Sequence, residues 1–291
     1  MVDFKLQKCL HLQDELKKKT PKLSGNYMIT EKKDGWWVRI LYKKETGLWY
    51  APLSSANRVI PALTWMVEKL NTLPRPHDDC FLIGEAIVPE LPFEIINGML
   101  NRSVGNFACL DAEIVIHDIV FPNSPSSAMT RWRFLQELDL AGISFLSKIE
   151  VLYIGTYNLP IWMKYFDQVV SQDGEGIVCK RETGLYLPTK RNADLVKLKL
   201  ECSIDTLAIR LEESIGDKGL PSLTLVSTRA NGVYIRTVIG KHEDQAMFRN
   251  DSSSIIGKVV EIKGMNELPD GQIRQPVYKG IRFNKLPSEI D

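Results

Sequence analysis

One lysine stands in a setting that could supply a nucleophile. Lys32 lies in the segment EKKDG (residues 31–35), between a strand-like stretch at 26–32 and another at 36–43. An amine attacks an electrophile only in its neutral form, which requires burial or neighbouring cations that lower its pKa. Taken alone, the pattern also fits a pair of surface lysines, so a catalytic Lys32 requires partners elsewhere in the sequence.

Two glutamates and two further lysines could be those partners. Glu85 follows Gly84 inside an apolar stretch, and Glu175 stands between two glycines. A carboxylate in a buried strand is costly unless it meets a cation, a metal or a ligand hydroxyl. Lys197 and Lys199 are two residues apart, so on a strand both side chains leave the same face and need an anion to offset their repulsion. The lysine pair indicates a phosphate site, although taken alone it is more typical of an exposed edge strand.

Strands and helices alternate irregularly over the first 200 residues and would position these side chains. The apolar pattern predicts helices at 61–71, 128–138 and 161–170, and strands at 26–32, 36–43, 48–53, 80–88, 111–120, 174–181 and 194–201. A short amphipathic helix at 4–20 is expected to lead into them. This arrangement predicts an α+β domain with antiparallel sheets.

The pattern changes after Glu201. Five short strand-like segments and one helix are predicted there, the helix at 241–250 and the strands at 205–213, 222–228, 232–240, 258–264 and 276–283. Such a set suits a small closed barrel of the oligonucleotide/oligosaccharide-binding type, or OB-fold. We therefore predict two domains, residues 1–200 and 201–291.

Composition limits the classes of protein. The 291 residues are 44% hydrophobic, with 37 Lys and Arg against 36 Asp and Glu, so any polyanion site must be a local cluster. Without a run of eighteen apolar residues and with a charged N-terminus, the sequence predicts a cytoplasmic protein without a membrane segment. The five cysteines are widely spaced and form no C-x-x-C pair, which argues against a disulfide framework or a zinc site.

The joint order of the motifs resembles the ATP-dependent DNA ligases of the covalent nucleotidyltransferase superfamily. The matching motifs, in order, are K-x-D-G at 32–35, Gly84-Glu85, His117-Asp118, E-G-[IV] at 175–177 and K-x-K at 197–199. Near the C-terminus, residues 274–282 resemble the R-x-P-x-[FY]-x-G-x-R ending of the ligase barrel. The resemblance covers nearly the whole chain and is closest to the minimal two-domain ligases of viruses and phages.

The resemblance implies a three-step reaction with ATP and Mg²⁺ or Mn²⁺. The Lys32 amine would attack the α-phosphate of ATP and retain AMP as a phosphoramidate. AMP would then pass to the 5′-phosphate of a nick in double-stranded DNA, and the 3′-hydroxyl would displace it. Such an enzyme is expected to act as a monomer in DNA replication, repair or recombination, in the host cytoplasm if its source is a virus or phage.

The resemblance also implies roles for the charged side chains around Lys32. Lys197 and Lys199 would hold the α-phosphate, and Glu175 would bind the catalytic metal ion. Glu85 would contact the ribose. Asp34 would orient the nucleophile and its metal ion.

Further roles concern the adenine base and the leaving group. Thr30 and Glu31 stand at the strand end where the family reads the adenine edge. Arg274 and Arg282 would orient pyrophosphate. His117 stands where the family more often has a Phe or Tyr that stacks on adenine, and its sequence setting fits a stacking ring and a buried core histidine equally.

Besides His117, two positions depart from the family pattern. Trp37 replaces the usual arginine five residues after the nucleophile, with Arg39 two residues further, which puts a direct nick contact there in doubt. Arg58 is a weak match to the S-R-x-G motif. The clusters at 17–19, 180–181 and 190–191 are expected to bind DNA phosphates instead.

Three other functions compete with a DNA ligase. RNA ligases share the first five motifs, and mRNA-capping guanylyltransferases share the lysine chemistry and the barrel. The capping enzymes end in an R-x-D-K pattern that residues 274–282 lack. The barrel could also serve a non-catalytic nucleic-acid-binding protein. The loop at 212–222 is expected to be too short for a long ordered latch.

Overall fold

The chain divides into two compact units, Met1–Lys199 and Leu200–Asp291. A computed structural model describes residues 5–91, 93–100, 108–215, 221–268 and 270–291. Residues 216–220, where a latch would lie, fall outside the described ranges. Every helix in the described ranges is too short or too polar to span a lipid bilayer.

The first unit is built from short strands with helices between them. Its described strands are β1 (Leu10–His11), β2 (Asn26–Glu31), β3 (Trp36–Lys43), β4 (Leu48–Trp49), β5 (Cys80–Ile87), β6 (Glu113–Val120), β7 (Leu146–Lys148), β8 (Val151–Thr156), β9 (Gly176–Arg181) and β10 (Leu195–Lys199). Its described helices are α1 (Leu12–Leu16), α2 (Val67–Leu70), α3 (Phe93–Leu100), α4 (Ala128–Glu137) and α5 (Leu159–Val170). A 3₁₀-helix at Pro61–Met66 leads into α2.

These strands form two sheets. We call β1-β10-β9-β2-β8 the first sheet and β4-β3-β5-β6-β7 the second sheet. All pairs are antiparallel except β1 with β10 and β6 with β7. The prediction of an α+β fold with antiparallel sheets is confirmed. The strand-like segments at 26–32 and 36–43 do not pair with each other, because the chain crosses from the first sheet to the second at residues 32–35.

Each sheet buries one face under its own helices. Leu12 of α1 and Trp162 of α5 pack on Tyr27, Ile29 and their neighbours in the first sheet. The second sheet packs against α2, α3, α4 and the 3₁₀-helix through a larger set of apolar side chains. The two separate cores fix each sheet independently, so the crossing segment is held at both of its ends.

The predicted helix at 4–20 is largely wrong. Only Leu12–Leu16 is helical, and β1 precedes it as a strand parallel to β10. Backbone bonds also join the segment before β1 to a distant loop, from the Thr189 N–H to the Leu6 carbonyl and from the Lys8 N–H to the Lys190 carbonyl. Hydrogen bonds to the β10 region therefore outweigh the local helical pattern.

The second unit contains five antiparallel strands. They are β11 (Cys202–Ile215), β12 (Pro221–Thr228), β13 (Tyr234–Val238), β14 (Val259–Gly264) and β15 (Val277–Ile281), in the order β13-β12-β11-β14-β15. The helix α6 (His242–Asn250) lies between β13 and β14 in sequence and packs Phe248 into the unit's apolar core. The predicted OB-fold is confirmed.

A glycine in the middle of the second sheet gives a test of this packing. A Cβ atom on Gly84 would lie 2.6 Å from the Val115 carbonyl oxygen and 2.9 Å from Ile114 Cγ2. We expect Gly84→Ala to lower the free energy of unfolding by about 1–3 kcal/mol, because the neighbouring strand must move. Urea denaturation, with the transition midpoint compared at equal slope, measures this.

Gly98→Ala is the matched control. Nothing lies within 4 Å of a Cβ atom at Gly98 in α3, so alanine should stabilise the helix by up to about 1 kcal/mol. Equal midpoints for Gly84→Ala and the wild type would contradict the close approach of the two strands.

Candidate active site

A cavity of about 460 Å³ is lined by both sheets of the first unit. The first sheet and its ends contribute Thr30, Glu31, Lys32, Val178 and Lys197, and the second contributes Trp37, Ile83, Glu85, Val115 and His117. Six of these ten are predicted site residues, although they come from four distant parts of the sequence. The pairing of strands within each sheet brings them together.

Lys32 lies at the end of β2, beside the start of β9. Its backbone N–H donates to the Gly176 carbonyl at 2.8 Å, and its Nζ forms an ion pair with Glu175 Oε2. The Glu175 side chain is only 5% exposed, so Lys32 balances the charge of a buried carboxylate. Gly176 has a φ of 144°, and a Cβ there would lie 2.2 Å from the Leu198 carbonyl oxygen. Glycine is therefore required directly after Glu175.

Glu85 faces the same cavity from β5 in the second sheet. Burial raises the pKa of Glu85 to about 8, against the opposing charge of Lys32. The negative charges of Glu175 and Asp34 add to the rise. At neutral pH Glu85 is therefore mainly a neutral carboxylic acid, which can donate a hydrogen bond through its O–H.

His117 lies beside Glu85 on the neighbouring strand β6. Burial lowers the pKa of His117 to about 3, and the charge of Lys180 lowers it further in the same direction. Its Nε2 is 4.0 Å from Glu85 Oε1, but with both groups neutral this is not an ion pair. His117 lines the cavity, so it is not the fully enclosed core histidine that the sequence also allowed. Stacking on adenine stays a prediction.

The cavity also contains an ionic cluster centred on Asp118. Arg131 Nε donates to Asp118 Oδ1 at 2.9 Å, and Lys180 Nζ donates to Oδ2 at 3.1 Å and to the His117 carbonyl at 2.5 Å. Burial alone would raise the pKa of Asp118, but these two cations hold it well below its usual range. Arg131 was missed in the sequence, since nothing in a helix pattern marks one arginine as buried.

The expected DNA-binding cluster at 180–181 is wrong. Lys180 is bound to Asp118, and Arg181 is held by Asp194 at 3.1 Å and by the Tyr27 hydroxyl at 2.9 Å. A lysine or arginine that is already paired with a carboxylate of the fold has few counterions to release on binding a polyanion. The clusters at 17–19 and 190–191 are exposed, and their role in DNA binding stays a prediction.

The two lysines of β10 have different surroundings. Lys197 lines the cavity, and burial lowers its pKa, with the charges of Lys199 and Lys32 acting in the same direction. Lys199 lies outside the cavity lining. β10 pairs with β9 over Leu195–Lys199 and with β1 at Val196 and Lys197, so Lys197 does not lie on an exposed strand edge.

Arg39 and Arg58, the two arginines considered where the sequence departs from the family motifs, lie outside the cavity lining. Arg39 is 1% exposed, with its guanidinium over the Phe81 ring and a hydrogen bond to Asn57 Oδ1. It therefore anchors a loop within the fold and does not contact DNA. Arg58 is exposed on the same loop.

The metal and leaving-group predictions are not tested by this geometry. Among the described residues, no group of three or more His, Cys, Asp or Glu side chains is arranged to hold a metal ion. Asp34 lies outside the cavity lining, yet its charge acts on Glu85. Arg274 and Arg282 belong to the second unit, where Arg282 Nη1 donates to Glu261 Oε2 at 3.4 Å. The roles of both arginines stay predictions.

Comparison with known proteins identifies the family. Residues 11–199 match the family model described as the ATP dependent DNA ligase domain. This match covers most of the chain, and the chain therefore belongs to the ATP-dependent DNA ligase family. A search of curated protein sequences finds no match.

Solved structures share the fold over nearly the whole chain. Pmar-Lig_PreS3 aligns with a TM-score of 0.72 at 16% identity, over 96% of this chain and 68% of the other. A Lig E DNA ligase, described as binding DNA with a minimal scaffold, aligns with a TM-score of 0.70 at 17% identity, over 97% and 100% of the two chains. A mycobacterial DNA ligase D complexed with ATP and MES aligns with a TM-score of 0.50 at 18% identity, over 99% and 98%.

The family match defines the enzyme class. The chain is an ATP-dependent DNA ligase, and ATP and DNA are the ligands that this class implies. A non-catalytic binding protein, an RNA ligase and a capping guanylyltransferase are accordingly not favoured.

The raised pKa of Glu85 predicts a pH-dependent stability. Between its ordinary value of 4.5 and about 8, Glu85 loses its proton in the unfolded chain but keeps it in the folded one. The folded state then binds more protons, so this group makes the free energy of unfolding fall as pH rises through that window, by up to a few kcal/mol. We expect Glu85→Gln to remove this decline. Urea denaturation of both proteins at several pH values measures it, and parallel pH profiles would contradict the assignment.

Proposed function

We propose that this ligase seals nicks in duplex DNA through a covalent AMP on Lys32. The observation that carries the proposal is the ion pair between Lys32 Nζ and Glu175 at a cavity that also contains Glu85, His117 and Lys197. Its volume of about 460 Å³ lies within the range of small-molecule sites. A single pocket would thus contain the nucleophile Lys32, the second cation Lys197 and the neutral hydrogen-bond donor Glu85.

The first step would form a bond from Lys32 Nζ to the α-phosphorus of ATP. The bond from that phosphorus to the bridging oxygen breaks, and pyrophosphate leaves with the bonding electrons. The attacking amine must first lose a proton, and Glu175 Oε2, in hydrogen-bond contact with Nζ, would accept it and release it to solvent before the metal ion binds. Lys197, which lines the same cavity, would support this step because its positive charge stabilises the α-phosphate.

The neutral groups of the cavity suit the nucleoside part of ATP. The protonated Glu85 carboxyl can donate to a ribose hydroxyl oxygen, and the uncharged His117 ring can stack on the base without a desolvation penalty. Thr30 and Glu31, which line the cavity at the end of β2, would contact the adenine edge. Lys199 would extend the positive charge along β10 beyond the cavity.

A divalent cation would be held by Glu175 and Asp34. Mg²⁺ is commonly bound by one or two carboxylates together with substrate phosphates and water, so two carboxylates beside the nucleophile fit it. The metal ion supplies neutralisation of the phosphate charge during transfer. Glu175 would then have two partners in turn, the Lys32 ammonium before nucleotide binds and the cation afterwards.

The later steps require nicked duplex DNA. AMP would pass from Lys32 to the 5′-phosphate, and the 3′-hydroxyl would then displace AMP. The exposed Lys17, Lys19, Lys190 and Arg191 are available to bind phosphates, which supports salt-dependent binding despite a net charge of +1. We propose that a monomer suffices for this reaction.

Replacing the nucleophile tests the proposal directly. We expect Lys32→Ala to lose the AMP adduct completely, whereas Lys33→Ala should retain it because Lys33 is paired with Glu31. Mass spectrometry of the intact proteins after incubation with ATP and Mg²⁺ detects the adduct. An AMP adduct on Lys32→Ala would place the nucleophile elsewhere.

Substituting an arginine of the barrel should impair the first step, formation of the AMP adduct, and leave the two later steps intact. By family resemblance Arg282 acts on pyrophosphate, which leaves only in the first step. We expect Arg282→Ala to fail with an ordinary nick and ATP, yet to close a nick that already carries AMP at near wild-type rate. Gel analysis of strand closure with each substrate measures both reactions.

Lys285→Ala is the control for the loss of an ion pair. Lys285 and Arg282 both interact with Asp205, so either substitution disturbs the same cluster. Both pairs join a part-exposed cation to the largely buried Asp205 carboxylate, so either substitution removes one partner from the same acidic group. Equal impairment of both reactions in Arg282→Ala would mean that the arginine serves folding or DNA binding.

A further inference from the structure

A buried glutamine outside the assigned set lines the proposed nucleotide cavity. Gln7 is 5% exposed, and its Nε2 has no hydrogen-bond partner among the described residues. A buried amide donor left without a partner lowers the stability of the fold. A ligand acceptor in the cavity would remove this cost.

The orientation of the Gln7 amide is determined by its neighbours. Its Oε1 accepts a hydrogen bond from the Leu187 backbone N–H at 3.2 Å, and its own backbone N–H donates to the Tyr186 hydroxyl at 3.0 Å. A flipped amide would set its NH₂ group against the Leu187 N–H, which is also a donor. The group left for a ligand is therefore a donor.

Gln7 lies towards the end of the cavity where we expect the base, away from the cations proposed to bind phosphate. In the parallel register of β1 on β10, His11 pairs with Lys197, one of the cations proposed to bind phosphate, and Cys9 precedes His11 by two residues. In an extended segment, residues two apart face the same side about 6–7 Å from each other. Gln7 is therefore one such step beyond Cys9 and further from that cation, where the lining includes Leu185.

We propose that Gln7 Nε2 donates a hydrogen bond to a ring nitrogen of the adenine base of ATP. This inference rests on the proposed adenylylation of Lys32. Adenine offers three ring nitrogens, N1, N3 and N7, as acceptors. Guanine carries a hydrogen on N1, so a donor aimed at N1 selects ATP against GTP, whereas a donor aimed at N3 or N7 does not.

The test is the rate of Lys32 adenylylation with ATP, GTP and the 1-deaza, 3-deaza and 7-deaza analogues of ATP. We expect Gln7→Met to raise KM for ATP about tenfold with little change in kcat, since the lost bond positions the base and not the phosphate. One analogue should raise the wild-type KM by a similar factor. That analogue should cause no further loss in Gln7→Met, because the same bond is already absent.

Two further variants separate this role from a structural one. Gln13→Met makes the same change at an exposed position of α1 and should leave KM unchanged. Gln7→Glu keeps an acceptor for Leu187 and loses its donor once its carboxyl ionises, so its KM relative to the wild type should rise with pH towards that of Gln7→Met. If Gln7→Met fails to fold, the KM values of Gln7→Glu and of the wild type with the analogues still test whether Gln7 contacts the base.

Each outcome has a distinct meaning. An unchanged KM in Gln7→Glu, or analogue losses that simply add to those of the variants, would overturn the role of Gln7. A wild-type protein that forms no AMP adduct with ATP would instead overturn the proposed function of the site.

Discussion

The ion pair between Lys32 and Glu175 is the interaction on which the site depends. It exists because Lys32 directly follows β2 and Glu175 directly precedes β9, and a hydrogen bond from the Lys32 N–H to the Gly176 carbonyl holds these two positions together. Directly after Lys32 the chain leaves the first sheet for the second. A change in the register of β2 against β9 would therefore displace Lys32 and alter the segment that joins the two sheets.

The cavity contains both neutral and ionised side chains. Glu85 and His117 are held neutral by burial, whereas Asp118 stays ionised because Arg131 and Lys180 surround it. The Asp118 cluster is largely balanced internally. A nucleotide would meet uncharged groups beside its nucleoside part and positive charge beside its phosphates, an arrangement that lowers the desolvation cost of each part.

Much of the fold and of the site was predictable from the sequence. The α+β class and the OB-fold followed from apolar periodicity, since a change from mixed elements to short strands is a local property. The site residues followed from ordered motifs, and six of them meet at one cavity. Asp34 and Lys199 lie outside its lining, because a motif specifies a neighbourhood in sequence and not the direction of each side chain.

By itself, the sequence determined the family, the order of the motifs and the two types of domain, because these depend on residue identity and spacing. Tertiary structure alone decided that the segment before β1 lines the cavity and does not form a helix, since its hydrogen-bond partners come from residues 186–190. It likewise turned Lys180 and Arg39 inward. Burial and pKa depend on atoms contributed by distant segments, which local periodicity does not describe.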